Sequence, residues 1–132
     1  MPSEPLAKGR PTRPCVLLVD DYPDARLMYT EYLRYSGFDV VEAANGIEAL
    51  RHALESMPDI ILMDLSLPVM DGWEATRRLK ADPRTTRIPV VAFTGHALAG
   101  TSDGARQAGC DAFVTKPCLP EELVQEIRRV LA

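Results

Sequence analysis

Short runs of consecutive apolar residues alternate along the chain with stretches in which apolar positions recur every three or four residues. Five runs stand out: Cys15-Val-Leu-Leu-Val19, Phe38-Asp-Val-Val41, Ile60-Ile-Leu-Met63, Ile88 to Phe93 and Ala112-Phe-Val114. Each is too short for a buried helix and reads as a strand. Between them the spacing turns helical. Ala25, Met28, Tyr32 and Leu33 form a stripe that stops at Gly37. Pro23 stands where a first helical turn tolerates it, with Asp21 or Tyr22 at the cap. Gly46 opens a second helix with the stripe Ile47, Leu50, Ala53 and Leu54, ending before Pro58. Trp73, Thr76 and Leu79 begin a third after Asp71-Gly72. A weak helix is expected from His96 to Gly109, with Gly100 and Gly104 inside it at about 1 kcal/mol each relative to alanine. Leu123, Val124, Ile127, Val130 and Leu131 make an amphipathic last helix, with Pro120 and Glu121 suited to its first turn.

Strands that are apolar throughout are buried on both faces, which is the pattern of a parallel sheet between helical layers. With right-handed crossovers, five strand–helix units predict a doubly wound α/β fold, a (βα)5 flavodoxin-like three-layer sandwich. In such sheets the ligand crevice lies beyond the carboxyl ends of the strands. Asp20-Asp21, Asp64, Thr94 and Lys116 each follow directly on a predicted strand. Taken singly, such an aspartate is a helix cap or turn residue, Thr94-Gly95 an ordinary turn and Lys116 a solvated lysine. Taken together they bring three carboxylates, a hydroxyl and an ammonium to one sheet edge.

Clustered carboxylates repel unless a cation neutralises them. Hard oxygen ligands of this kind suit Mg²⁺, which takes one or two carboxylates and keeps several waters. Three aspartates and one lysine leave two negative charges, which one divalent ion cancels. Lys116 and the Thr94 hydroxyl could then face a phosphoryl group.

Composition narrows the function further. A formal charge of −4 without a basic stripe argues against nucleic acid as a partner. No apolar run approaches the ~18 residues of a membrane span and no signal-peptide pattern opens the chain, so a cytoplasmic location is expected. Residues 1–14 hold four of the chain's eleven prolines, with Lys8, Arg10 and Arg13 among them. They read as a flexible basic tail before a domain spanning 15–132. Cys15, Cys110 and Cys118 have no C-x-x-C spacing; Cys15 and Cys110 read as buried thiols, and neither His52 nor His96 completes a zinc site.

The chain resembles the receiver domain of two-component response regulators. The matching stretches are Val16-Leu-Leu-Val-Asp-Asp21, Ile60-Ile-Leu-Met-Asp64-Leu-Ser-Leu-Pro-Val-Met-Asp-Gly72, Val90-Val-Ala-Phe-Thr94-Gly-His and Phe113-Val-Thr-Lys116-Pro117. They are collinear, and it is their joint order that is specific. The resemblance implies that Asp64 accepts a phosphoryl group from a histidine kinase or a histidine phosphotransfer protein. Asp21, Asp64 and the main-chain carbonyl of Ser66 would hold Mg²⁺, or Mn²⁺ in its place, with Asp20 acting through water. Thr94 and Lys116 would contact the phosphoryl oxygens. Thr94 and Phe113 would form a conformational switch, although Phe113 reads equally well as core. Ser66 and His96 flank the phosphoryl position, where the family tunes hydrolysis; His96 also reads as a plain exposed residue. Leu119 stands where the family often caps its last helix with Asp or Ser, which predicts a weakly capped helix.

The implied protein is a signalling module rather than an enzyme, limited to self-phosphorylation and slow self-dephosphorylation. No output domain is expected after Ala132, so its signal would pass to another protein, as a monomer or a phosphorylation-dependent dimer. Two other readings stand beside it: a phosphorylation-independent docking module, and an aspartyl-nucleophile phosphatase. The phosphatase would need a D-x-D arrangement after the first strand, where Asp20 and Asp21 are adjacent.

Overall fold

In the computed structural model, which describes residues 13–64, 70–94, 109–116 and 118–132, the apolar runs pair into one parallel sheet. Its strands are β1 (Cys15–Val19), β2 (Asp39–Ala43), β3 (Ile60–Met63), β4 (Val90–Thr94) and β5 (Ala112–Thr115), in the order β2-β1-β3-β4-β5. The described residues form four helices: α1 (Pro23–Tyr35), α2 (Gly46–Ser56), α3 (Gly72–Ala81) and α4 (Pro120–Leu131). Residues 96–108, most of the predicted fourth helix, lie outside the described residues, as does most of the predicted tail, residues 1–12.

Alternation along the strands sorts the core into two layers. Leu17, Val19, Ile61, Met63, Val90 and Ala92 face α2 and α3, where Ala49, Ala53, Ala75 and Leu79 meet them. Val16, Leu18, Ile60, Leu62, Val91 and Phe93 face α1 and α4, against Tyr29, Leu33, Leu123, Val124 and Ile127. Each fully buried Leu or Ile here contributes about 1.5–3 kcal/mol relative to exposure. The doubly wound sandwich is thus the observed fold, with its strand order reversing between β1 and β3. That switch point is where two neighbouring connections diverge to opposite faces and leave a crevice.

Several element details differ from the sequence expectation. β2 begins at Asp39 because Phe38 is spent differently: its N–H closes the end of α1 on Leu33 O and its ring fills the α1 layer. β4 begins at Val90 because Ile88 turns back on Thr85 O and Pro89 has no N–H to offer a ladder. The apolar stripe of α2 is only partly as predicted: Leu50 and Ala53 face the core. Ala49 and Ala53 are fully buried, whereas Ile47 and Leu54 are exposed. Small side chains let the helix lie close to the sheet, and Ile47 and Leu54 point away. On α1, likewise, Tyr29, Thr30 and Leu33 are buried and Met28 is exposed.

Arg13 and Pro14, within the expected tail, are tied to the domain. Arg13 pairs with Asp39 at 2.9 Å and donates to Phe38 O, and Pro14 O accepts from Asp39 N. The cysteines are free thiols of intermediate burial rather than fully buried. Leu119 caps α4 without a side-chain acceptor, yet Glu122 Oε1 accepts its N–H at 3.1 Å. Together with Pro120 in the first turn, that supplies much of what a polar cap would.

Candidate functional site

The carboxyl ends of β1 and β3 are neighbours in the sheet, and Asp64 N donates to Val19 O across them at 3.1 Å. Asp20, Asp21 and Asp64 therefore emerge side by side. One carboxylate oxygen from each lies within 4.8 Å of the others, close to the ~4 Å that spans two Mg–O bonds. Their exposures differ sharply: Asp20 is fully buried, Asp64 is 6% exposed, and Asp21 faces solvent.

Asp20 is held at every polar atom. Its N–H donates to Ala43 O at 3.0 Å, and its main-chain O accepts from Arg26, whose guanidinium also pairs with Glu42 at 3.0 Å. Oδ1 accepts from Tyr22 N at 2.9 Å. Oδ2 takes the Lys116 ammonium at 2.6 Å. Lys116 also reaches Asp64 Oδ2 at 3.3 Å, and its Nζ lies 4.9 Å from the centroid of the Phe93 ring. Burial alone would lower the Lys116 pKa, but the Asp20 hydrogen bond and the charges of Asp64 and Asp20 outweigh it and hold it above its ordinary value. The lysine is therefore a fixed positive charge at neutral pH.

Tyr29, which the sequence reading places nowhere, supports that lysine from α1. Its hydroxyl donates to Cys118 O at 3.0 Å, two residues beyond Lys116. Its ring meets Phe93 edge-on at 5.1 Å. The helix stripe alone carries no signal for this role, since a buried tyrosine reads as core.

Thr94 ends β4, its main chain in register with Thr115 at the end of β5, one residue before Lys116. The contacts of its hydroxyl lie outside what the structure describes. Phe113 is part-buried and packs against the α2–α3 layer. Ser66, His96 and Pro117 lie outside the described residues. The acid pocket and Lys116 are thus brought together as expected, with Asp20 the most deeply buried of the three carboxylates.

The donor set fits a hard divalent ion. It offers three carboxylates at a spacing two oxygens can close on one Mg²⁺, one of them open to water, and a single ammonium that leaves net negative charge. Among the described residues no helix is long and apolar enough to cross a membrane.

Comparison with known proteins agrees with this geometry. The family model for the response regulator receiver domain matches residues 16–128. The polar-differentiation response regulator DivK of Brucella anthropi is 36% identical over 116 residues, covering 88% of this chain and 94% of that protein. A crystal structure of the receiver domain of a sensor histidine kinase from Pseudomonas aeruginosa PAO1, with a magnesium ion coordinated in its active site cleft, is 37% identical. It superposes with a TM-score of 0.84, covering 90% of this chain and 98% of that one. The chemotaxis protein CheY4 of Vibrio cholerae superposes at 0.86, is 30% identical and is covered over 99% of its length, against 90% of this chain. Sheet order, acid pocket and these likenesses agree: the chain belongs to the response regulator receiver domain family of two-component signalling.

Proposed function

We propose that this receiver takes a phosphoryl group onto Asp64 from a phosphohistidine on a histidine kinase or phosphotransfer protein. The observation that carries the proposal is the convergence of Asp20, Asp21 and Asp64 within 4.8 Å beside the Lys116 ammonium. The Asp64 carboxylate is itself the nucleophile, so the attack needs no separate base. An oxygen of Asp64 forms the new bond to phosphorus. The P–N bond breaks, and its electron pair leaves with the imidazole nitrogen, which takes up a proton.

Asp21, Asp64 and the Ser66 main-chain carbonyl would hold Mg²⁺, with Asp20 backing the site through water and its bond to Lys116. The bound ion would supply positive charge to the phosphoryl oxygens. Lys116, fixed by Asp20 below and Phe93 beside it, presents a further positive charge to the same oxygens. Catalysis on this reading is positioning and charge neutralisation. Thr94 would follow the phosphoryl group, and the part-buried Phe113 would turn into the space it leaves. Hydrolysis returns the resting state, with Ser66 and His96 setting its pace. The reaction is stoichiometric signalling in the cytoplasm rather than turnover of a substrate pool, and the readout is a protein partner.

Incubation with Mg²⁺ and a small acyl phosphate or phosphoramidate donor tests this. Wild type gains one phosphoryl group, and the Asp64→Asn variant and chelated wild type gain none. Turnover of many small phosphate esters without a labelled protein would favour a phosphatase. A protein that neither labels nor binds Mg²⁺ would be a docking module.

A further inference from the structure

Asp21 faces solvent, and among the described residues nothing donates a hydrogen bond to its carboxylate. Its place in the acid pocket is therefore decided by the main chain on either side, where one residue recurs. Arg26 donates from its N–H to Tyr22 O at 3.0 Å and from Nη1 to Asp20 O at 2.8 Å. The carbonyls of the residues before and after Asp21 are thus both held by Arg26. Tyr22 N on Asp20 Oδ1, at 2.9 Å, closes the same loop from within.

The guanidinium is in turn fixed from β2. Its Nε donates to Glu42 Oε1 at 3.0 Å, and the next residue, Ala43, accepts from Asp20 N at 3.0 Å. Two adjacent positions of one strand therefore hold the N–H of Asp20 directly and its carbonyl through Arg26. Both side chains are part-buried, 21% and 34% exposed, and a planar fork reaching two acceptors at once loses less freedom per bond than a lysine does. α1 does not depend on the pair for its seating, which Tyr29 and Leu33 provide from its buried face. We infer that Arg26, set by Glu42, is a positioning residue for the cation site: it fixes the Asp20–Tyr22 loop so that Asp21 is aimed into the pocket before an ion arrives. The inference rests on the proposed Mg²⁺-dependent function. Charge and geometry make opposite demands here. As a bare positive charge beside three carboxylates, Arg26 would oppose a cation, and its removal would tighten binding. As a positioner its removal weakens binding, since partners that orient metal ligands are worth about 10–100-fold in affinity.

Calorimetric titration with Mg²⁺ alone reads that sign in wild type, Arg26→Gln, the double variant Arg26→Gln/Glu42→Gln, and Arg34→Gln. The double variant restores the wild-type net charge. Arg34 lies on the same helix and donates to Val40 O at 3.2 Å, so its loss removes the same charge and an α1–β2 bond without reaching Asp20. Arg26→Gln and the double variant are each expected to lower Mg²⁺ affinity about tenfold, and Arg34→Gln to stay within about twofold of wild type. Labelling by a small phosphodonor should fall in Arg26→Gln at limiting but not at saturating Mg²⁺. Should Arg26→Gln not fold, Arg26→Lys keeps the charge without the fork and should weaken binding about threefold. Affinity at or above wild type in a folded Arg26→Gln, or in Arg26→Lys when the first does not fold, overturns the inference and leaves the proposed function standing. So does wild-type affinity in the double variant, or an equal loss in Arg34→Gln. Wild type that binds no Mg²⁺ overturns both.

Discussion

Replacing Lys116 by methionine keeps the side chain's length and removes its charge. Lys116 is 21% exposed in its side chain and Asp20 is fully buried. Taking one partner from a buried ion pair costs about 3–5 kcal/mol, because the other charge stays behind uncompensated. Asp20 keeps one bond from Tyr22 N, and Lys116 itself is only part-buried, so about 2–3 kcal/mol is expected in chelator. For a chain of 132 residues that corresponds to a melting temperature lower by roughly 6–15 °C. Saturating Mg²⁺ should narrow the gap, since a ligand at a hundredfold excess over its Kd adds ~2.7 kcal/mol, and the undercompensated pocket binds it more tightly. Urea melts of Lys116→Met, Asp20→Asn and the double variant, each with chelator and with Mg²⁺, isolate the pair. A coupling energy of about 2 kcal/mol is expected. Coupling near zero, or a variant as stable as wild type in chelator, would refute the claim that this ammonium holds the acid pocket together.

Because the folded pKa of Lys116 is raised, its contribution is complete below the unfolded lysine value of ~10.4 and is lost as pH rises through the folded value. Stability should therefore show an alkaline loss that Lys116→Met lacks, measured by denaturation between neutral and strongly alkaline pH. Burial pushes the Cys110 thiol up to about 11. Its alkylation at mildly alkaline pH should be about a hundredfold slower in the native protein than in urea, by mass spectrometry of the modified peptide. Ala49→Leu should cost about 1–3 kcal/mol by overpacking the α2–sheet contact. Ile47→Ala, on the exposed face of the same helix, should stay within about 0.5 kcal/mol. Equal effects would mean the helix faces the other way.

The strands are legible in the sequence because a parallel sheet buries both faces, so β1 and β3 leave unbroken apolar runs, fully buried from Val16 to Val19 and from Ile60 to Met63. The acid pocket is legible for a related reason: topology alone brings the carboxyl ends of adjacent strands together. What a one-dimensional pattern hides is distance. Ile47 and Leu54 of α2 are misread as buried, and Ala49 is missed, because bulk suggests burial, while alanines at 49 and 53 are what a close helix–sheet contact needs. Asp20 and Asp21 are indistinguishable as letters, yet one is sealed under Lys116 and the other open to water. Tyr29 reads as core until its hydroxyl is seen on Cys118 O. Gly46 reads as a helix start, and only the position of Met70 O explains why no side chain fits there.

Locating the phosphoryl group is the most direct test of the central claim that three aspartates and one lysine form a pocket for transfer onto residue 64. After labelling with a small phosphodonor and Mg²⁺, borohydride reduction and peptide mapping mark the acylated side chain. The predicted result is a modification confined to the peptide carrying Asp64, absent under chelation and discharged by hydroxylamine. A hydroxylamine-resistant phosphate, or one carried by Asp20, Asp21 or a hydroxyl residue, would contradict the account.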